Sequence, residues 1–189
     1  MFILYPVLIA LVVGVVTGGR LARLGQLRLA WAPLIALGMV VQLLLFSSPV
    51  GNALGDAAPW AYVGSNILVL GAVAANLATP GLWLVCLGGI SNFVAIVANG
   101  GYMPVNPDTL AAMGRIAKVD YSNSAPRDVV VLFPLTDIFA MPAWVPLANV
   151  FSVGDVLIGV GAAIAVLAAM HGRGQLVVAP GVPIGDEPA

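Results

Sequence analysis

The stretch WAYVGSNILVLGAVAANLATPGLWLVCLGGISNFVAIVAN, residues 60–99, decides the fold. It holds two apolar runs, 60–78 and 81–99, without one charged side chain. Between them lies Thr79-Pro80-Gly81, and Pro and Gly break a helix and turn the chain. Each run approaches the ~20 apolar residues that a membrane-crossing helix needs. Two such runs joined by so short a turn must form an antiparallel hairpin.

Outward from this hairpin the same pattern repeats. FILYPVLIALVVGVVTG (2–18), AWAPLIALGMVVQLLLF (30–46) and VFSVGDVLIGVGAAIAVLAAM (150–170) are further candidate spans. The whole chain of 189 residues is 61% hydrophobic and 8% charged. Soluble domains carry about 25% charged residues, and a domain this small leaves much of its surface exposed. The composition therefore predicts an all-α membrane protein, a bundle of five transmembrane helices. The lipid bilayer is the expected partner, and residues 1–170 form a single transmembrane domain. Residues 171–189, rich in Gly and Pro, read as a flexible tail.

Orientation follows from the arginines. Arg20, Arg23 and Arg28 come directly after the first run, whereas a cleaved leader would place its positive charges before it. They mark the first loop as cytoplasmic and put the N-terminus outside. Five crossings then bring the tail inside and leave 100–149 on the outer side. There Asn106-Pro107-Asp108 reads as the capped start of a short surface helix, and YSNSAPRD (121–128) as a polar turn. Residues 129–148 are apolar but hold Pro134, Pro142 and Pro146 with Asp137 near the centre. A helix interior loses ~3 kcal/mol per Pro, so the segment is expected to dip into the outer leaflet or pack over the bundle. If it spans instead, there are six helices and the tail lies outside.

The polar residues inside the apolar runs are the candidate site. Asn92 and Asn99 are seven apart, on one helix face, and the hairpin brings Asn66 and Asn76 into the neighbouring helix. Amides in membrane helices either tie helices together or line a cavity. Ser152-x-x-Asp155 has the form of a capping box, which would set Asp155 at the outer boundary. Asp137 has no such local explanation, and an acid in an apolar segment faces protein, water or a partner. Asn66, Asn92, Asn99, Asp137 and Asp155 are therefore the candidate ligand-binding residues. Asn99-Gly100-Gly101 followed by Pro104 reads mainly as a helix stop. Ala10, Gly14 and Gly18 form a close-packing face, for the bundle itself or for a partner subunit.

Several function classes find no support. Net charge is −1, so no basic surface suggests nucleic acid. One cysteine, Cys86, and one histidine, His171, suggest neither a disulfide nor a metal site, and no cofactor is expected. No residue set suggests catalysis beyond the carboxylates Asp137 and Asp155.

NFVAIVANGGYMPV (92–105), LTDIFAMPAW (135–144) and FSVGDVLIGVG (151–161) resemble a family of small bacterial multi-pass membrane proteins of unknown function. The resemblance covers roughly residues 1–170. It implies a prokaryotic cytoplasmic-membrane protein and no particular activity. The leading expectation is a non-enzymatic protein that binds or passes a small amphipathic molecule or lipid headgroup at an extracytoplasmic cavity. The alternatives are a structural or substrate-capturing subunit of a larger complex, and a membrane-embedded enzyme.

Overall fold

The structure, a computed structural model, describes residues 2–46, 48–106, 109, 124–125 and 130–173. Among these lie six α-helices: α1 (Leu4–Val16), α2 (Ala32–Leu45), α3 (Ser48–Leu54), α4 (Ala58–Ala74), α5 (Leu82–Ala98) and α6 (Val153–Met170). Proline at the first turn of α2 and α4 starts the helix where its missing N–H costs nothing. α1 and α5 stop in the same way. After α1, Gly18 N–H donates to Val15 O and Gly19 N–H to Gly14 O; after α5, Gly100 N–H donates to Val97 O and Gly101 N–H to Ile96 O. Gly18 and Gly100 take the left-handed backbone this motif requires, with φ of 87° and 72°.

Two helical runs, Pro49–Ala74 (26 residues) and Val153–Met170 (18 residues), are long and apolar enough to cross a membrane. The other apolar helices, α1, α2 and α5, have 13, 14 and 17 residues. Each lies inside its expected run but is shorter, because the flanking residues are spent on caps and turns. The short helix α3 and the 3₁₀ turn Gly55–Ala57 precede α4, where the sequence predicts nothing.

Residues 130–149 form no α-helix. They hold a 3₁₀ turn, Phe133–Leu135, and the strand β3 (Phe139–Ala140), which pairs antiparallel with β4 (Val150–Phe151). The strand β1 (Met103–Pro104) pairs parallel with β2 (Ser124–Ala125), and Val105 bridges to Asp137. The prolines decide this outcome, since each removes a backbone donor from a helix ladder. The surface helix expected from Asn106 lies outside the described residues, except for single positions. So do most of the turn at 121–128 and the tail beyond Arg173.

The long helices neighbour one another chiefly in the order α1–α6–α5–α4–α2. The contacts α6–α5, α5–α4 and α4–α2 are antiparallel, whereas α1 and α6 run parallel. Phe2 stacks on Phe151 at one end of α1 and α6, and Arg20 N–H donates to Met170 O at the other. Glycines set the tightest seam. Gly81, the N-cap of α5, and Gly88 within it face Gly161 and Gly154 of α6, backbone against backbone. A methyl placed on Gly161 would lie 2.6 Å from Gly81 O, and one on Gly88 would lie 2.9 Å from Ile158 N. Side chains cannot enter this seam, so the helices approach as closely as backbones allow. Ala10 and Gly14 are buried inside the chain, with Gly14 against Met170 of α6, whereas a methyl on Gly18 would meet nothing within 4 Å. The three therefore do not form one continuous face. Two of them pack within the chain, and the third ends α1.

This arrangement gives the molecule two ends. Arg20, Arg23, Arg28 and Arg173, all the arginines among the described residues, lie at the end where α1 and α6 finish and α2 begins. Asp56, Asp137 and Asp155, all the described acids, lie at the opposite end, where α4 and α6 begin. The buried core sits toward this aspartate end, with Leu45, Ala58, Tyr62, Ala95, Ile96 and Met103 in one cluster. A smaller cluster of Met141 and Ala148 packs with Phe2, Tyr5 and Phe151.

Candidate functional site

α6 begins at the aspartate end with its N-cap Ser152. Asp155 N–H donates to Ser152 Oγ (3.0 Å), and Ser152 N–H donates to Asp155 Oδ2 (3.1 Å), a complete capping box. Asn92 of α5 joins it. Its Nδ2 donates to Asp155 Oδ1 (2.8 Å), and its Oδ1 accepts from Ser152 Oγ (2.8 Å). Gly154 makes this possible, because any Cβ there would collide with Asn92 Oδ1. Both carboxylate oxygens of Asp155 and both ends of the Asn92 amide are therefore engaged.

Asn99 works elsewhere. Its Nδ2 donates to Ala95 O (2.7 Å) and Val131 O (2.9 Å), while Val131 N–H donates to its Oδ1 (2.9 Å). The amide thus pairs with both backbone groups of Val131 as a β-strand would. It fastens the segment from Val130 onward over the end of α5. Asp137 lies in that segment and is 5% exposed. Its N–H donates to Pro104 O (3.1 Å), and its carbonyl accepts from Asn106 N–H (3.4 Å). Thr136, also buried, donates its hydroxyl to Phe133 O (2.8 Å) and holds the 3₁₀ turn.

Asn66 donates to Tyr62 O (2.9 Å), one turn back on its own helix. Asn76 lies at the arginine end, away from Asn92 and Asn99. It clamps Ala30: its Oδ1 accepts from Ala30 N–H (2.8 Å), and its Nδ2 donates to Ala30 O (2.9 Å) and to Ala72 O (2.6 Å). Asn92 and Asp155 therefore meet directly, and Asn99, at the end of α5, holds at Val131 the segment that carries Asp137.

One group was not legible in advance. Asn149, in the loop between β3 and β4, donates Nδ2 to Val150 O (2.7 Å). Its Oδ1 is buried and has no hydrogen-bond partner among the described residues. The sequence signal was faint: one amide in an otherwise apolar, proline-rich stretch. In the same segment Phe139, Trp144 and Leu147 are exposed.

Chemically, the cluster holds rather than reacts. The Ser152 hydroxyl points its proton at an amide oxygen, which is no base, and so is not activated as a nucleophile. His171 lies at the other end of α6, with its Nδ1 at Leu167 O (2.9 Å). Among the described residues no three His, Cys, Asp or Glu side chains gather as a metal site.

The chain belongs to DUF5317, a family of unknown function, whose profile matches residues 26–167. No curated protein and no solved structure matches it.

Proposed function

We infer that this member of a family without assigned function is a multi-pass integral membrane protein. It crosses five times, with the arginine end in the cytoplasm and the aspartate end outside. It acts without covalent chemistry, holding a small amphipathic molecule or lipid headgroup at the aspartate end. The observation that carries the membrane part is the surface of the helices. α1, α2, α4 and α5 contain no charged residue, and α6 has only Asp155 in its first turn. Their exposed side chains are apolar, among them Leu8, Val40, Leu43, Ile67, Leu87 and Ile164. Water would penalise such walls, whereas lipid would not.

The tryptophans agree. All four are between 56% and 84% exposed: Trp31 and Trp83 at the arginine end, Trp60 and Trp144 at the aspartate end. Tryptophan collects at both membrane–water boundaries. At a rise of ~1.5 Å per residue the five helices span about 20–27 Å, short of a ~30 Å hydrocarbon core. Flanking turns and local thinning of the bilayer accommodate such a difference.

Support for the ligand comes from the hairpin region. A buried acceptor, Asn149 Oδ1, in a hairpin that also exposes Phe139 and Trp144 suits a molecule with a polar donor and an apolar body. The alternative, a subunit of a larger complex, draws on Gly64 and Gly71 of α4. They share the seven-residue spacing of the packed glycines, yet nothing lies within 4 Å of a methyl placed on either.

Two experiments test the reading. In a Cys86→Ala background, a cysteine at Ala143 should react with an impermeant maleimide on intact cells, and one at Ala22 only after lysis. Equal labelling of both would end the five-crossing topology. Native mass spectrometry of protein from mild detergent should find a retained small molecule or lipid that Asn149→Leu loses. Wild-type protein that retains nothing would end the ligand reading, and a mass of two or more chains would favour the subunit alternative.

A further inference from the structure

The arginine end carries more positive charge than the fold uses. Around the last turn of α6, Arg20 N–H donates to Met170 O (2.9 Å), Arg23 Nη1 donates to the same oxygen (3.2 Å), and Arg173 N–H donates to Ala168 O (2.7 Å). A methyl on Gly172 would lie 3.6 Å from the guanidinium carbon of Arg23. Three guanidinium-bearing residues are thus gathered at one helix end. Arg23 is half-buried and serves as a brace, while Arg20 and Arg173 are exposed. No carboxylate lies at this end among the described residues; Asp56, Asp137 and Asp155 are all at the other. His171 offers no free nitrogen, since Nδ1 faces Leu167 O and Nε2 faces Thr17 Oγ1 (3.2 Å).

An apolar track leads away from this cluster. Ile9, Val12 and Val16 share one face of α1 at helical spacing and are 61%, 64% and 80% exposed. The track ends at Arg20, and Leu21 beside it is exposed as well. A guanidinium binds phosphate through two parallel N–H bonds, and an aliphatic ridge accepts an acyl chain.

We propose that Arg20 and Arg173, gathered with Arg23 at the last turn of α6, bind the headgroup phosphate of an anionic phospholipid whose acyl chain lies along Ile9, Val12 and Val16. The proposal rests on the membrane reading above and concerns the opposite end from the amphipathic-ligand site. The net negative headgroup offsets charge that no carboxylate among the described residues meets at this end, and α1 exposes apolar surface where the lipid tail would run. Each arginine near an anionic surface contributes ~1 kcal/mol, about fivefold in affinity.

The test uses the full chain in non-ionic detergent, supplied in turn with phosphatidylglycerol and phosphatidylcholine, with bound lipid counted by native mass spectrometry. Wild type should retain phosphatidylglycerol preferentially. Arg20→Gln and Arg173→Gln should each weaken that preference about fivefold, and the double variant should abolish it. The double lysine variant should keep part of it, since the charge remains while the paired N–H bonds are lost. Equal retention of both lipids by wild type, or an unchanged preference in the double Gln variant, would overturn the proposal. Displacement by millimolar inorganic phosphate would assign the site to free phosphate and overturn the lipid. Failure of the membrane reading shows separately, as equal maleimide labelling at Ala22 and Ala143.

Discussion

Asn76 and Asn99 perform the same operation at opposite ends of the molecule. Each stands just past the end of its helix, donates to the carbonyl four residues back, and grips both backbone groups of one distant residue. Asn76 grips Ala30 and thereby ties α2 to α4. Asn99 grips Val131 and ties an irregular segment to α5. Their surroundings differ. Asn76 is 2% exposed, whereas Asn99 is half-buried. The same amide therefore locks helix to helix where water is excluded, and fastens a looser covering where water reaches. An unpaired buried backbone group costs its full desolvation, while an exposed one finds water. The two ends are thus built with one device but are not equally rigid.

The comparison breaks most severely at the seam that carries both ends. Gly88→Leu should prevent stable assembly of α5 on α6, because backbone atoms of Gly154 and Ile158 cannot move aside as a side chain would. Overpacking costs ~1–3 kcal/mol even where neighbours adjust, so the variant should yield little monodisperse protein in detergent by size-exclusion chromatography. A normal yield and melting temperature would show that the seam opens in solution.

Asn76→Leu should come next. It leaves Ala30 N–H and Ala30 O without their side-chain partner, at ~1–3 kcal/mol for each group that stays buried. Thermal unfolding should shift down clearly. Asn76→Asp should be nearly as harmful, since a carboxylate oxygen would then face the carbonyls of Ala30 and Ala72. A harmless Asn76→Asp would show that water reaches this clamp after all.

Asn92→Leu should cost less, roughly 1–2 kcal/mol, because Ser152 and Asp155 still satisfy each other through the capping box. The readout is stability in a denaturant titration of wild type against variant. A loss as large as that of Asn76→Leu would show that α6 depends on Asn92 for its cap.

Asn99→Leu should show the smallest global effect, about 1 kcal/mol or less, with a local one beside it. Cleavage by added protease within 130–149 should accelerate, while the melting temperature barely moves. Equal thermal losses in Asn99→Leu and Asn76→Leu would erase the distinction between the two ends.

Much of this was legible beforehand. The absence of charge over residues 60–99, the breaker at 79–81 and the arginines at 20–28 predict helices, a hairpin and an end with positive charge, because each is a local property of chain and solvent. The Ser152–Asp155 box was readable for the same reason: its partners are three residues apart. The shared face of Asn92 and Asn99 was readable as well, but not what each amide meets, since Asp155 and Val131 are 63 and 32 residues away. Asn76 counted as a neighbour of that face, whereas the antiparallel hairpin carries it to the far end.

By itself, then, the sequence determined that the helices are apolar, where they break, and which of them cap themselves, because helix propensity, proline sterics and solvation act over a few residues. Tertiary structure alone decided that Gly81 and Gly88 meet Gly161 and Gly154, that Asn92 completes the cap of α6, and that Asn99 holds Val131. Those outcomes depend on which backbones approach closely enough to exclude a side chain, and on which distant donor reaches a given acceptor. Apolar composition is nearly blind to both, since the outward-facing and helix-facing residues of these helices are alike apolar.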